Sequence, residues 1–211
     1  MFRAKQKGQK PDRVVRELMQ FVGRESVLYL KEDLVAYECD GFTMRKGTPK
    51  AVVFPDNTEQ VSEIVKYLNS VEIPYIARGA GTGLSGGAIP LGGEVIISLV
   101  RMKKLLSVDY ENRKAVVEPG YVNLKLTQSI SDKGYYYAPD PSSQYACTIG
   151  GNVAENAGGA HCLKYGVTTN HILGLEVVLP NGEIIEIGND GIPDQPGYDL
   201  LGILTGSEGT L

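Results

Sequence analysis

Glycine dominates one stretch of the sequence, because five of the nine residues at 79–87 are glycine. A short apolar run at residues 75–77 comes just before it and predicts a strand. Glycine has no side chain and adopts conformations that other residues avoid, so backbone N–H groups in such a loop can close on a ligand. Neighbouring N–H groups in a turn form a concavity that binds anions, most often phosphate. The stretch predicts a phosphate-binding loop; a glycine-rich surface turn without a ligand is the alternative.

Gly81, Gly83 and Gly86 match the pattern G-x-G-x-x-G, which binds a nicotinamide dinucleotide in a Rossmann fold. That pattern must open a helix that packs on the preceding strand. Pro90 and the pair Gly92-Gly93 follow here. In a helix interior a glycine costs roughly 1 kcal/mol and a proline roughly 3 kcal/mol relative to alanine. The sequence therefore predicts no helix after the loop, which disfavours a nicotinamide-dependent Rossmann enzyme but leaves it as an alternative.

A second glycine-rich stretch contains the pairs Gly150-Gly151 and Gly158-Gly159. Their spacing predicts a loop, a short helix and a second loop. Thr148 and Asn152 flank the first pair, and their side chains can hydrogen-bond phosphate or ribose oxygens. Glycine pairs also serve tight helix packing, so this stretch alone is a weak signal. Two such loops in one domain favour a ligand with two phosphates and a long body.

Composition excludes several classes of protein. The 211 residues suffice for one large domain or two small ones, and the apolar and charged contents of 42% and 22% are typical of a globular protein. A net charge of −4 gives no reason to expect nucleic-acid binding. The three cysteines are odd in number and lack C-x-x-C spacing, as expected in a reducing compartment. We predict no metal site, no signal peptide and no membrane span.

Apolar periodicity predicts the elements that would position the first loop. We expect a helix with Pro11 as its first residue and a stop at Gly23, and one helical turn at residues 32–37. A helix capped within Asp56-Asn57-Thr58 should join two strands by a right-handed crossover, which makes them a parallel pair. The predicted strands lie at residues 51–54, 75–77 and 95–99. The glycine loop thus leaves the carboxyl end of a strand, where open α/β sheets bind ligands.

The second half of the sequence indicates antiparallel structure. Hairpins are predicted at residues 105–118 and 172–187, and Asn181-Gly182 in the second favours a type I′ turn. Asn123 is the expected cap of a helix that stops at Gly134. Residues 135–137 are three tyrosines, which we expect to form a strand and pack against the wall of the domain, with a stacking platform as the alternative.

Several motifs together resemble the FAD-binding domain of FAD-linked oxidases of the vanillyl-alcohol oxidase type. They lie, in the order of that family, at residues 48–61, 78–87, 148–152, 163–166, 172–178 and 206–211. Within the family the chain is most similar to the FAD-linked subunit of glycolate oxidase and to D-lactate dehydrogenases. The resemblance implies an α+β fold, the PCMH-type FAD-binding domain. This domain has two α/β subdomains, a small parallel βαβ unit and a larger mixed or antiparallel sheet with helices.

The resemblance also implies a domain division and a set of cofactor-binding residues. Residues 1–47 would be a helical lead-in, and residues 48–211 an FAD-binding domain that is incomplete at its C-terminal end, without the substrate domain. The residues implied to bind FAD are Arg78, Gly79, Ala80, Gly81, Thr82, Gly83, Leu84, Gly87, Pro139, Asp140, Ser142, Thr148, Ile149, Gly150, Gly151, Asn152, Gly158, Gly159, Tyr165, Gly206 and Glu208.

Residues 79–83 would cradle the pyrophosphate, with Arg78 neutralising its charge. Many relatives attach the flavin covalently through a histidine in this loop, and Thr82 stands there instead, so we expect non-covalent FAD. Cys147 is expected to be a small buried residue, with a thioether link to flavin as the alternative. His161 and Tyr165 either approach the flavin or serve packing; the residues alone do not decide between these roles.

For the intact enzyme the resemblance implies oxidation of a D-2-hydroxy acid, of the glycolate or D-lactate type, by hydride transfer to FAD. Catalytic residues are expected in the missing C-terminal half, so the 211-residue chain alone should bind FAD weakly and show no substantial turnover. The expected partners are the small-molecule acid and iron–sulfur-type oxidase subunits as electron acceptors. The expected location is the cytoplasm, or the membrane periphery through those subunits. A non-catalytic flavin-binding or assembly module is a further alternative.

Overall fold

The computed structural model describes residues 10–188 and 197–211, so the basic N-terminal residues 1–9 lie outside the described part. The first half contains a four-stranded sheet with strands β1 (Val27–Leu28), β2 (Ala51–Val53), β3 (Tyr75–Arg78) and β4 (Val95–Ser98). The strand order is β1-β2-β4-β3. β2, β4 and β3 run parallel, and β1 pairs antiparallel with β2. The two-residue strand β1 was not predicted.

The predicted pairing within this sheet is wrong in one respect. β2 and β3 are parallel, as expected for strands joined by a helix, but they do not pair with each other. β4 lies between them, with Ile96 opposite both Val52 and Ile76. β2 and β4 are buried along their whole length, because side chains pack on both faces of the sheet. A continuous apolar run is typical of such a central parallel strand.

From residue 10 onward, this half contains the helices α1 (Arg13–Val22), α2 (Lys31–Leu34) and α3 (Thr58–Ser70). A cap of α3 within residues 56–58 is confirmed, and the structure identifies it as Asn57, whose side chain accepts a hydrogen bond from the N–H of Gln60 at 2.9 Å. Pro11 as the first residue of α1 is wrong. Asp12 caps that helix instead by accepting from the N–H of Val15 at 2.9 Å, and this places Pro11 before the helix.

The main core joins elements from both sides of residue 48, where a domain boundary was predicted. The buried side chains of α1 and β1 pack in one cluster with those of α3, β2 and β4. Members of this cluster are Val15, Leu18, Val22, Val27, Val53, Ile64, Leu68, Val95 and Ile97. The opposite face of the sheet buries Leu34, Val52, Phe54 and Ile96. The N-terminal residues are therefore part of the same packing unit as the βαβ structure.

The second half contains two hairpins, β5 (Leu105–Asp109) with β6 (Lys114–Val117) and β7 (Gly174–Val178) with β8 (Ile184–Gly188). Both hairpins were predicted, and among the described residues each is a separate two-stranded sheet. The second packs on α3, where Ser62 Oγ donates to the carbonyl of Gly182 at 2.5 Å. The described part of this half also contains the short helices α4 (Asn123–Ile130), α5 (Ile149–Glu155), α6 (Cys162–Tyr165) and α7 (Leu200–Leu204).

The type I′ turn predicted at Asn181-Gly182 is wrong. A type I′ turn needs positive φ at both central residues. Gly182 has a φ of 79°, but Asn181 does not have a positive φ. The N–H of Gly182 instead bonds the carbonyl of Leu179 at 2.8 Å, so Pro180 and Asn181 are the central residues of the turn. Proline fixes φ near −65° and favours this choice.

Two further expectations in this half are wrong. Asn123 does not cap α4 but begins it, and its buried side chain donates from Nδ2 to the carbonyl of Pro139 at 3.0 Å. Residues 135–137 form no strand. Tyr135 instead packs on Tyr110 with ring centroids 5.7 Å apart, so the tyrosines do contribute packing. No helix in the described part of the chain has the length and apolar character to cross a membrane.

Candidate cofactor site

The glycine loop, residues 79–87, begins where β3 ends, at the carboxyl edge of the three parallel strands. Gly81 and Gly86 have φ of 68° and 83°, which residues with a side chain rarely adopt. Among the described residues, no hydrogen bond uses a backbone N–H of residues 80–87 as its donor. Unpaired neighbouring N–H groups in a turn are the donors that an anion requires.

No helix follows the loop before β4 begins at Val95. This confirms the prediction made from Pro90 and Gly92-Gly93. The pattern formed by Gly81, Gly83 and Gly86 therefore lacks the helix that a Rossmann dinucleotide site requires.

The start of α5 faces the first residue of the loop. Thr148 caps this helix, and its Oγ1 accepts a hydrogen bond from the N–H of Gly151 at 3.3 Å. A Cβ added to Gly79 would lie 2.6 Å from that Oγ1 and 3.8 Å from the Cα of Gly151. Such a contact is too short for a real side chain, so glycine is required where the two segments meet. We call residues 79–83 together with residues 148–152 the cradle.

The predicted residues in the second wall of the cradle, residues 148–152, do not all face it. Gly150 points out of it, because a Cβ there would lie 2.6 Å from the side chain of Pro119. Ile149 is buried, and Asn152 is 2% exposed. The Nδ2 of Asn152 has no hydrogen-bond partner among the described residues, although its side chain interacts with the thiol of Cys147. A buried amide donor without an oxygen acceptor is costly unless a ligand or water satisfies it.

Arg78 lies beneath the loop and is 7% exposed. Its guanidinium donates to the carbonyl of Ala88 at 2.9 Å and to the carbonyl of Cys39 at 2.8 Å. The same group lies 5.5 Å from the ring centroid of Tyr37 and occupies the space that a side chain at Gly81 would need. The predicted contact between Arg78 and a pyrophosphate stays a prediction, but the described contacts hold the loop in place.

The far end of the loop is acidic. A Cβ on Gly83 would lie 3.2 Å from a carboxylate oxygen of Glu155, and one on Gly87 would lie 2.8 Å from a carboxylate oxygen of Glu208. Glu208 reaches this place because its N–H bonds the carbonyl of Ala154 at 2.8 Å, and Gly206 bonds the end of α5 in the same way. Carboxylates repel an anion, so residues 79–82 are the better place for phosphate. Gly87 and Glu208 were predicted to bind cofactor, and this electrostatic arrangement disfavours a phosphate contact there.

The acidic end predicts a pH dependence of stability. Burial is the main cause that raises the pKa of Glu155 above its ordinary value, and repulsion from Glu208 raises it further. A hydrogen bond from Ser85 lowers this pKa but does not outweigh the other two effects. The folded state therefore holds this proton more tightly than the unfolded state. The contribution of Glu155 to stability is therefore fully present below its unfolded pKa and is lost as the pH rises through its raised folded pKa.

Glu155→Gln should raise the midpoint of thermal unfolding at pH 7 by roughly 1–3 °C, since glutamine keeps an acceptor for Ser85 without the charge. The gain should vanish near pH 4. Glu111→Gln, at an exposed position beside the β5–β6 turn, is the matched control and should change the midpoint little at either pH. An equal gain for Glu155→Gln at both pH values would contradict the proposed cause.

A second cluster forms around Asp140. Its carboxylate accepts from the N–H of His161 at 3.1 Å and contacts His161 Nδ1 at 2.6 Å. Burial opposes ionisation, but these bonds from His161 outweigh it and lower the pKa of Asp140. A Cβ on Gly159 would overlap the carbonyl of Asp140, and one on Gly158 would lie 2.5 Å from the sulfur of Cys162. Both glycines therefore allow close packing of the protein itself.

Asn123 links this cluster to the cradle. Its side chain holds the carbonyl of Pro139, and its N–H bonds the carbonyl of Cys147 at 3.0 Å. Cys147 is buried, and burial raises the pKa of its thiol, which fits the expected packing role better than a reactive one. Ser142 is exposed beside this segment.

Tyr165 belongs to the surface near His161, with ring centroids 6.4 Å apart. Hydrogen bonds with Lys164, which has the larger effect, and with Tyr136 lower the pKa of Tyr165. These contacts are all at the surface, so an approach of His161 or Tyr165 to the flavin stays a prediction. No group of three or more His, Cys, Asp or Glu residues in the described ranges could hold a metal ion.

The sequence did not predict that the N-terminal segment reaches the glycine loop. Asp40 is 7% exposed, and one of its carboxylate oxygens lies 3.4 Å from the N–H of Ala88 at the end of the loop. A Cβ on Gly41 would lie 2.6 Å from the carbonyl oxygen of Gly83. The dipeptide Asp40-Gly41 is typical of a turn, but nothing in its spacing indicates which segment it contacts.

Comparison with known proteins bears on the same stretches. Residues 49–188 match the FAD binding domain family. The glycolate oxidase subunit GlcD of Escherichia coli K12 is 46% identical over 198 residues, which cover 94% of this chain and 40% of that protein. The D-lactate dehydrogenase of Anaerostipes hadrus is 43% identical over 166 residues, covering 79% of this chain and 35% of that one. The chain thus spans about two fifths of the length of these relatives.

A solved structure of p-cresol methylhydroxylase with substrate bound superposes on the chain with a TM-score of 0.76 at 25% identity. The superposition covers 91% of this chain and 40% of that protein. The predicted fold, an α+β domain of the PCMH type, is therefore confirmed.

Proposed function

The chain belongs to the FAD-binding domain family, and we propose that it forms the flavin-binding part of an enzyme that oxidises a D-2-hydroxy acid to the 2-oxo acid. The substrate class is supported by relatives named glycolate oxidase subunit, D-lactate dehydrogenase and D-2-hydroxyglutarate dehydrogenase. The relatives that carry these names are more than twice as long as this chain, so the complete reaction, its acid and its electron acceptor are part of the proposal.

One observation in the structure carries the cofactor assignment. Unpaired backbone N–H groups of the loop stand next to the capped start of α5, where Gly79 and Thr148 leave no room for a side chain. This is a cradle for a pyrophosphate, and the family supplies the identity of the dinucleotide as FAD. The buried Nδ2 of Asn152 is a further donor that lacks an oxygen acceptor among the described residues. The residues present therefore fit FAD.

The chain's own residues perform binding and orientation. Residues 79–82 would donate backbone hydrogen bonds to the pyrophosphate, and Thr148 and Asn152 would fix the opposite side. Glu155 and Glu208 repel the phosphates from the far end of the loop and so set the direction in which the cofactor lies. Bound FAD supplies the hydride acceptor of the reaction.

We further propose that FAD is held without a covalent bond. The resemblance implies that Thr82 stands where relatives with covalent flavin carry a histidine. In the described part of the chain, the only cysteine beside the cradle is Cys147, which is buried and has a raised thiol pKa. Because the E. coli relative GlcD is named a subunit of an oxidase, we propose that further oxidase subunits exist and that they are iron–sulfur electron acceptors. Such subunits would also account for attachment of a cytoplasmic enzyme to the membrane periphery.

The test has two stages. The purified 211-residue chain is titrated with FAD, and binding is followed by quenching of flavin fluorescence. We expect saturable binding, and we expect denaturation to release all flavin into the supernatant. In the second stage this chain replaces the first two fifths of the E. coli subunit, and bleaching of flavin absorbance by glycolate or D-lactate is recorded. We expect the D isomer, and not L-lactate, to bleach the flavin.

Each stage tests a different part of the proposal. A colourless chain that cannot be loaded with FAD but binds NADH would support the nicotinamide alternative. Flavin that stays with denatured protein would contradict non-covalent binding. A chimaera that holds FAD but is not bleached by any D-2-hydroxy acid, while the native E. coli subunit is, would argue for the non-catalytic module.

A further inference from the structure

We infer that the N-terminal turn Cys39–Gly41 is a positioning element of the cofactor cradle, although it precedes both the matched domain and the predicted boundary at residue 48. This inference rests on the proposed function, because it assigns the turn a role in FAD binding. The contacts of the turn are with the loop and with Arg78 beneath it. It acts through the conformation of the loop and not through the cofactor.

Gly41 carries the first step. A Cβ there would lie 2.6 Å from the carbonyl oxygen of Gly83, 2.8 Å from that of Thr82 and 3.2 Å from the side chain of Leu84. Real side chains do not make contacts this short with backbone atoms. The φ of Gly41 is outside the left-handed region, so glycine is present here for space and not for backbone conformation.

The direction of these carbonyls decides where the donors point. All described peptide bonds are trans, and in a trans peptide the C=O and the next N–H point in opposite directions. Since the carbonyls of Thr82 and Gly83 face Gly41, the N–H groups of Gly83 and Leu84 point away from the turn. No described residue accepts a hydrogen bond from either of these N–H groups. Gly83 and Leu84 directly follow residues 79–82, so a shift of their peptide units would also change the conformation of the segment proposed to hold the pyrophosphate.

Asp40 and Cys39 hold the remainder of the loop. The carbonyl of Cys39 accepts from Arg78 Nη2, while Arg78 Nη1 bonds Ala88 at the other end of the loop. The carboxylate of Asp40 accepts a hydrogen bond from the N–H of Phe42 at 2.8 Å and attracts Arg78 electrostatically. The turn therefore contacts the loop at Arg78, at the carbonyls of residues 82–83 and at Ala88. Three attachment points fix a loop of this length.

The test uses Gly41→Ala in the 211-residue chain. The added methyl group should push the carbonyls of residues 82–83 out of place and turn their N–H partners. We expect the dissociation constant for FAD to rise roughly tenfold, and ADP to become a weaker competitor by the same factor because it carries the pyrophosphate. In the cofactor-free chain, chymotryptic cleavage after the exposed Leu84 should be roughly tenfold faster, because the loop opens more often.

Gly174→Ala is the matched control. Its Cβ would lie 3.2 Å from the carbonyl of Ile187, so it also crowds a backbone carbonyl, but in the β7–β8 hairpin. It should lower thermal stability while FAD affinity stays within about twofold. If Gly41→Ala does not fold, Asp40→Asn keeps the acceptor for Phe42, removes the charge beside Arg78, and should raise the FAD dissociation constant roughly threefold.

The outcomes separate this inference from the proposed function. Wild-type chain that fails to bind FAD contradicts the proposed function, and the cleavage assay then decides the inference on its own. Unchanged cleavage after Leu84 in Gly41→Ala would overturn it. So would FAD and ADP affinities equal to those of the wild type, or losses equal to those of Gly174→Ala at matched stability.

Discussion

Replacing Arg78 with alanine is expected to lower the free energy of unfolding by about 3–5 kcal/mol, the range for breaking a buried ionic interaction by removing one partner. The guanidinium is buried, and its two hydrogen bonds join the carbonyls of Cys39 and Ala88. Without it, both carbonyls lose their donor, and the buried carboxylate of Asp40 loses the cation that attracts it. Removal of the side chain also leaves a void beneath Gly81 and beside Tyr37.

Urea denaturation followed by circular dichroism measures this loss. Arg78→Lys should recover part of the stability, since it keeps the charge but cannot hold two carbonyls with one planar group. Arg101→Ala is the matched control, because Arg101 also stacks on an aromatic ring, with its guanidinium 5.1 Å from the centroid of Phe54. It is exposed, so its removal should cost about 1 kcal/mol or less.

FAD affinity distinguishes support of the loop from direct contact with phosphate. If Arg78 neutralises the pyrophosphate directly, Arg78→Ala should weaken FAD binding by roughly 1.5–3 kcal/mol with little change in unfolding. A change in stability below about 1 kcal/mol together with that loss would contradict the supporting role that the contacts assign.

Local patterns in the sequence were sufficient to predict much of this domain. The apolar face of α3, its cap Asn57 and the runs of β3 and β4 depend on neighbours within a few residues, and such signals can be recognised in a single sequence. The absence of a helix after the loop followed from Pro90 and Gly92-Gly93 in the same way. Both glycine-rich stretches were identified because the conformational freedom of glycine follows from its residue type alone, without knowledge of its contacts.

The errors concern contacts between residues that are distant in sequence. The insertion of β4 between β2 and β3 depends on which strands pair, and every apolar run fits either order. The turn at Asp40-Gly41 lies about forty residues before the loop that it contacts. A buried arginine such as Arg78 cannot be distinguished by residue type from one that faces a ligand. The acidic end is formed by Glu155 and Glu208, which are more than fifty residues apart in the sequence.

The second large effect is expected at Gly79, where the two walls of the cradle meet. Gly79→Ala should weaken FAD binding by about 3 kcal/mol, roughly a hundredfold, which is the scale of one or two charge-assisted hydrogen bonds to phosphate. The added Cβ would lie 2.6 Å from Thr148 Oγ1, so either the loop or the start of α5 must move. Thr148 is 3% exposed and held by its bond to Gly151, so it cannot rotate freely out of the way.

A double-mutant cycle with Thr148→Ala tests whether this collision is the cause. Thr148→Ala alone removes the cap, which should cost about 1 kcal/mol of stability, and removes one candidate ligand of FAD. The double variant lacks the atom that collides with the new Cβ, so it should bind FAD more tightly than Gly79→Ala does, and the two changes should not be additive. Additive losses would mean that the walls do not meet through these atoms. Wild-type affinity in Gly79→Ala would show that FAD does not lie in the cradle, because a pyrophosphate there depends on the narrow gap that only glycine leaves open.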